Sequence, residues 1–206
     1  MLTGGVDGYF VAHADLDDLK LQAKGQVPAG DPDAWRRALT ALGSMPQPTI
    51  AAIDGQAWGG GCEIALACTM RVASTRSHLA LPEVSLGVIP GYGGTQRLAQ
   101  IVGKGKAMEM VLTGGMIDAE AALACGLVNQ VVDQELLLET ARVMAGKIAK
   151  NAPTALAAAL DSVLAGYSRE GFDVEIQRFG QCFTTNDFKE GTTAFLEKRK
   201  PQFPGS

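Results

Sequence analysis

Gly59-Gly60-Gly61-Cys62-Glu63-Ile64-Ala65-Leu66-Ala67-Cys68 joins a run of bare backbone to an apolar segment of helical composition, with a carboxylate where the two meet. Three consecutive glycines bury no side chain and lose more chain entropy on ordering than any other residue, so packing does not explain them. They suit a place where backbone N–H groups must come close to a ligand. Because the run opens a helix, those amides lie where the helix dipole favours developing negative charge. A second carboxylate, Glu83, follows 20 residues beyond Glu63 within Leu81-Pro82-Glu83, and a second glycine run, Pro90-Gly91-Tyr92-Gly93-Gly94, comes after it. Amide donors beside two acid/base groups suit chemistry on a carbonyl compound.

Outward from this stretch, strands and helices alternate. Thr49-Ile50-Ala51-Ala52-Ile53 is a continuous apolar run stopped by Asp54-Gly55 and predicts a buried strand. Met70-Arg71-Val72-Ala73-Ser74 predicts another. Upstream, Trp35, Ala38, Leu39 and Leu42 follow the i, i+3, i+4, i+7 spacing of an amphipathic helix. Residues 20–33 hold a breaker-rich loop, residues 15–18 an acidic helix start, residues 9–14 an extended segment, and Met1-Leu2-Thr3-Gly4 a strand. Gly93-Gly94-Thr95-Gln96 opens a further helix. This alternation predicts α/β architecture. After Val132 the character becomes helical: Ala141, Met144, Ala145 and Ile148 share one face. Pro153 starts a helix with Leu156, Ala159, Leu160 and Val163 along its apolar side, and residues 169–184 and 187–198 read as helices. We therefore divide the chain into a core over 1–132 and a helical region over 133–206 whose alanine-rich helices need something to dock on.

Composition narrows the function classes. With 206 residues, 47% of them hydrophobic, the chain buries a proper core, and its net charge of −4 without a basic run argues against a nucleic-acid partner. No run reaches the ~18–20 apolar residues of a membrane span, and the first residues lack the pattern of a secretory signal. Cys62, Cys68, Cys125 and Cys182 show neither CxxC spacing nor neighbouring His pairs, so free thiols in a cytoplasmic protein and no metal centre are expected. A thiolate nucleophile at Cys62 would need a base, and the two histidines, His13 and His78, lie in no Cys/His motif, which favours a buried structural cysteine. Gly91-x-Gly93 lacks the third glycine and the later acid of a dinucleotide fingerprint.

Taken in order, a series of segments resembles the enoyl-CoA hydratase/isomerase (crotonase) family. They are Phe10-Val11-Ala12-His13-Ala14-Asp15, Ile50 to Gly55, Trp58 to Glu63, Pro82 to Gly91, Gly93-Gly94-Thr95-Gln96-Arg97-Leu98, Leu112 to Ala119, Gly126-Leu127-Val128 and Phe195 to Pro201. The resemblance implies a spiral of ββα units with a C-terminal helical region that drives trimers, commonly paired into hexamers. It also implies an acyl-CoA thioester substrate and no cofactor beyond the CoA that the substrate carries.

Residue by residue, the family's two oxyanion amides map onto Ala14 and Gly60, and its two glutamates onto Glu63, the base for water, and Glu83, the proton donor. Gly91 maps onto an amide that helps hold the water. Ala12, Phe179 and Lys198 map onto CoA contacts, alongside Ala14 and Gly60; ordinary surface and core roles stay open for Phe179 and Lys198. Trp58 is wall or core. The chain departs from the family in three respects. Family members carry further residues ahead of Leu2-Thr3-Gly4, supplying the first strands. His13 replaces a usual glycine, where it either crowds the Ala14 amide or touches substrate. Asp17 stands where relatives often carry a CoA-directed lysine. The expected activity is hydration of trans-2-enoyl-CoA to 3-hydroxyacyl-CoA; the alternatives are double-bond isomerisation and a non-catalytic truncated oligomer.

Overall fold

The computed structural model describes residues 1–12, 15, 31, 33–166, 177 and 180–206. Most of the acidic helix start, nearly all of the breaker-rich loop, most of the 169–184 helix, and His13, Ala14, Asp17 and Phe179 lie outside the described residues. Two compact units are present, Met1–Ser44 with Thr49–Ala141, and Met45–Pro48 with Arg142–Ser206.

In the first unit the strands β1 (Leu2–Thr3), β2 (Tyr9–Val11), β3 (Ile50–Ile53), β4 (Gln56–Trp58), β5 (Met70–Ser74) and β6 (His78–Ala80) come in consecutive pairs. The first pair precedes helix α1 (Ala34–Gly43), the second runs into α2 (Gly60–Ala67), and the third leads through a 3-10 turn (Glu83–Leu86) to α3 (Gly94–Thr113). The first members of the pairs stack in parallel as one sheet, β1-β3-β5, and the second members as another, β2-β4-β6, so each ββα unit repeats the last one strand further along both sheets. That is the expected spiral. Then β7 (Met116–Asp118) closes the second sheet antiparallel to β6, α4 (Ala119–Ala124) follows, and β8 (Gln130–Val132) closes the first sheet beside β5.

All four residues of β3 are buried, as its unbroken apolar run requires for a strand covered on both faces. Ile53 of β3 shares one core with Leu79, Leu81, Leu98 and Leu127, all fully buried. Burying each such side chain contributes about 1.5–3 kcal/mol against leaving it in water. β5 introduces a charge into this interior: Arg71 is 5% exposed. No carboxylate pairs with it among the described residues. Its guanidinium donates to the carbonyls of Ala65 and Cys68 at the end of α2 (3.3 and 2.7 Å) and of Leu127 (2.6 Å). A cation at a helix C-terminus is favourable because the dipole is negative there. Near the surface, Arg76 bridges Asp54, after β3, and Asp7, between β1 and β2.

The second unit holds most of α5 (Leu137–Ile148), α6 (Pro153–Ala165) and α7 (Asn186–Leu196). Pro153 opens α6, as its lack of an amide hydrogen favours. The buried Asp187 accepts from the amide and hydroxyl of Thr154 (3.2 and 2.8 Å) and from the amide of Gly205 (2.7 Å), tying two helix starts to the last residues. The apolar stripe of α6 is left uncovered: none of its residues is buried, and Val163 is 69% exposed, which leaves it available for the docking that its composition calls for.

Candidate active site

Each glycine ahead of Glu63 has its own reason to be there. Gly59 sits at φ 52°, the left-handed region that side chains avoid, and a β-carbon on it would stand 3.2 Å from Glu83 Oε1. Gly60 is the first residue of α2, where an N–H has no acceptor within the helix. Gly61 lies against β2 so closely that a β-carbon would overlap the Val11 carbonyl oxygen. The glycine run is thus a turn, a free amide and a contact between two backbones in succession.

Glu63 follows in the first turn of α2 and is 1% exposed. Its Oε1 accepts from the amides of Tyr92 and Gly94, both at 2.8 Å. Burial pushes its proton affinity up, while the amides of Gly94 and Tyr92 and the charge of Arg97 work the other way. Glu83 opens the 3-10 turn after β6 and is half-buried. Its Oε2 is buried with no hydrogen-bond partner. Burial raises its pKa, its own amide opposes this, and the nearby charge of Glu63 raises it further. The two carboxyls are therefore unequal. Glu63 has two amides and a cation that favour its ionised form, whereas Glu83 faces another carboxylate with one oxygen unsatisfied, which favours its neutral form.

The structure brings together Glu63, Glu83 and Gly60. Ala14 lies outside the described residues, as does Phe179. Ala12 follows β2 directly. Lys198 belongs to the second unit, exposed and at φ 54°. Gly91 is exposed, and the amides that reach Glu63 are those of Tyr92 and Gly94. Which amides of a glycine turn face inward depends on the orientation of its peptide planes, which residue types leave open. Trp58 is half-buried with its indole N–H buried and unpartnered. Cys62 is fully buried, and burial, then the charges of Glu83 and Glu63, push its thiol up to about 12, so it stays protonated and inert. All four cysteines are free.

A cavity of about 460 Å³ in the second unit, lined by Thr154, Ala155, Cys182, Phe188 and Phe203 among others, offers no comparable chemistry. Its carboxylate, Asp187, is already satisfied by Thr154 and Gly205. Among the described residues no cluster of His, Cys, Asp and Glu could hold a metal ion, and no helix is long and apolar enough to cross a membrane.

The family model for enoyl-CoA hydratase/isomerase matches residues 1–206. A short-chain-enoyl-CoA hydratase of Clostridium acetobutylicum is 41% identical over 97% of this chain and 77% of its own length. The mitochondrial enoyl-CoA hydratase of Pongo abelii is 43% identical over 98% of this chain and 70% of its own. The crystal structure of an enoyl-CoA hydratase from Bacillus anthracis superposes with a TM-score of 0.88 at 37% identity, covering 99% of this chain and 80% of that one. The two sheets wound from ββα units agree with the structural match, and the chain belongs to the enoyl-CoA hydratase/isomerase family.

Proposed function

We infer that the chain is an enoyl-CoA hydratase, adding water to trans-2-enoyl-CoA to give 3-hydroxyacyl-CoA. The observation that carries this is the unequal pair of buried carboxyls beside the free amide at the start of α2. Glu63 takes a proton from water as its oxygen bonds to Cβ. The electron pair of the double bond moves through Cα to the thioester oxygen, where the Gly60 amide and, from the family resemblance, the Ala14 amide stabilise the enolate. One such donor is worth ~2.7–4 kcal/mol of barrier. Glu83 then delivers its proton to Cα as the thioester carbonyl reforms. The balance consumes water and thioester alone, so the step needs no redox group. Isomerisation would need one well-placed acid/base group; two favour hydration.

The purified chain is expected to remove the conjugated enoyl-thioester absorbance of a trans-2-enoyl-CoA and to yield 3-hydroxyacyl-CoA by mass. Moving the double bond without adding water would overturn this assignment. Ala12, Phe179 and Lys198 are the proposed CoA contacts outside the reacting centre.

Assembly into trimers, paired as hexamers, goes with this reading. Val143, Val163 and Leu164 are 47%, 69% and 48% exposed on α5 and α6, an apolar surface suited to a subunit interface. Light scattering at micromolar concentration is expected to return three or six times the chain mass; a stable monomer or dimer would count against it.

A further inference from the structure

Adjacent glycines are poor at holding a peptide plane still, yet Tyr92-Gly93-Gly94 presents two amides to one oxygen of Glu63. Gly93 itself has φ 100°, in the left-handed region, which turns successive N–H groups toward a common side. Something outside the turn must fix it. Arg97, one turn into α3, lies directly beneath. Its Nη1 donates to the Tyr92 carbonyl at 2.8 Å and its Nη2 to the Leu39 carbonyl of α1 at 3.4 Å. Its own amide donates to the Gly93 carbonyl at 2.8 Å. A β-carbon on Gly93 would collide with Nη1. On the far side, Trp35 of α1 meets the Tyr92 ring edge to face, with centroids 6.3 Å apart.

We propose that Arg97 is a positioning residue for the base: by holding the Tyr92 carbonyl outward and anchoring it to α1, it keeps the Tyr92 and Gly94 amides converged on Glu63. This rests on the reading of Glu63 as the base that activates water. The fork of a guanidinium is what the geometry uses, since two carbonyls on different elements are bridged by one rigid plane; a lysine ammonium keeps the charge without that bridge. Among the described residues, the charged and titratable groups around Glu63 are Arg97 from α3, Tyr92 from the turn, Glu83 from the 3-10 turn and the neutral Cys62 beside it in α2. Arg97 also supplies the charge that works against the burial of Glu63.

The test compares Arg97→Lys and Arg97→Gln with the unmodified full chain. It uses ¹³C NMR titration of the Glu63 carboxyl, assigned through Glu63→Gln, and the pH profile of kcat/KM. In both variants the Glu63 midpoint is expected to move up, more in Arg97→Gln, and the acid limb of kcat/KM to move with it. At neutral pH kcat/KM is expected to fall by about tenfold, below the ~10²–10⁴ of a lost general base. KM should change little, and activity should recover toward the alkaline side. A Glu63 titration in folded Arg97→Lys that superimposes on the unmodified chain overturns the proposal, and so does failure of both variants to fold, which would make Arg97 scaffold alone. Native-rate hydration by Glu63→Gln would defeat the base assignment instead, while the carboxyl titration would still read the positioning.

Discussion

Glu63→Gln and Glu83→Gln are each expected to cut kcat for hydration by about 10²-fold or more, the range of a lost general acid or base. KM should change far less, because neither carboxyl is assigned to hold CoA. Initial rates of enoyl-thioester loss decide it, and a near-native rate in either variant would sink the mechanism with two glutamates.

The pH dependence follows from the same pair. Glu63 must be ionised and Glu83 protonated, so kcat/KM should fall in acid as the base gains its proton and in alkali as the acid loses its own. The two limbs belong to the coupled pair rather than to either residue. Stability has its own sign. Both carboxyls have folded pKa values raised above the ordinary 4.5, chiefly by burial. The native state therefore binds these protons more tightly than the unfolded chain. Their contribution is fully present below the unfolded value and is lost as pH rises through the raised folded values. Glu83→Gln carries no charge to desolvate, so its melting temperature relative to the unmodified chain should be more favourable at neutral pH than in acid. Equal differences at both pH values would contradict that.

Adding one methyl group at two glycines is expected to have opposite outcomes. At Gly61 the new carbon would overlap the Val11 carbonyl, and backbone can yield only by parting α2 from β2. Gly61→Ala should therefore lose stability at or beyond the upper end of the ~1–3 kcal/mol usual for overpacking, with hydration falling too because Gly60 is displaced. At Gly105, in the first turn after the break that Gly103 (φ 78°) makes in α3, and with open space around it, the same change restricts the unfolded chain without strain in the folded one and should add up to ~1 kcal/mol. Chemical denaturation of the two variants side by side gives both values; a Gly61→Ala protein as stable as the parent would remove the close approach from the argument.

What could be read from the residues, and what could not, has a physical pattern. The α1 stripe, the buried run of β3, β5, the glycine-led α2 and the opening of α3 are all present, because each carries a period or a capping signal over enough residues to register. The strands β4, β6, β7 and β8 span three residues each, too few to show alternation, and exist through pairings such as Gln56 with His78 that no local pattern encodes. In the site, Glu63 and Glu83 could be proposed from residue type and Gly60 from the glycine run that opens α2. The Tyr92 and Gly94 amides and the Arg97 clamp were not legible, since a backbone donor has no side chain to advertise it and the partners of an arginine depend on how the turn folds. The α6 stripe was read as an apolar side, but sequence cannot say whether such a side is covered within the chain.

Arg71 and Arg76 leave the fold with two kinds of fastening that respond differently to ionic strength. Arg76 holds Asp54 and the largely exposed Asp7 by charge within reach of solvent, where mobile ions screen over a Debye length of about 8 Å at physiological ionic strength. Arg71 is shut away from those ions, and its partners are peptide carbonyls, which no counterion displaces. Concentrated electrolyte therefore loosens the clasp between the first strands while the helix that presents the Gly60 amide keeps its anchor. The same burial that shelters Arg71 from mobile ions also raises the proton affinity of Glu63.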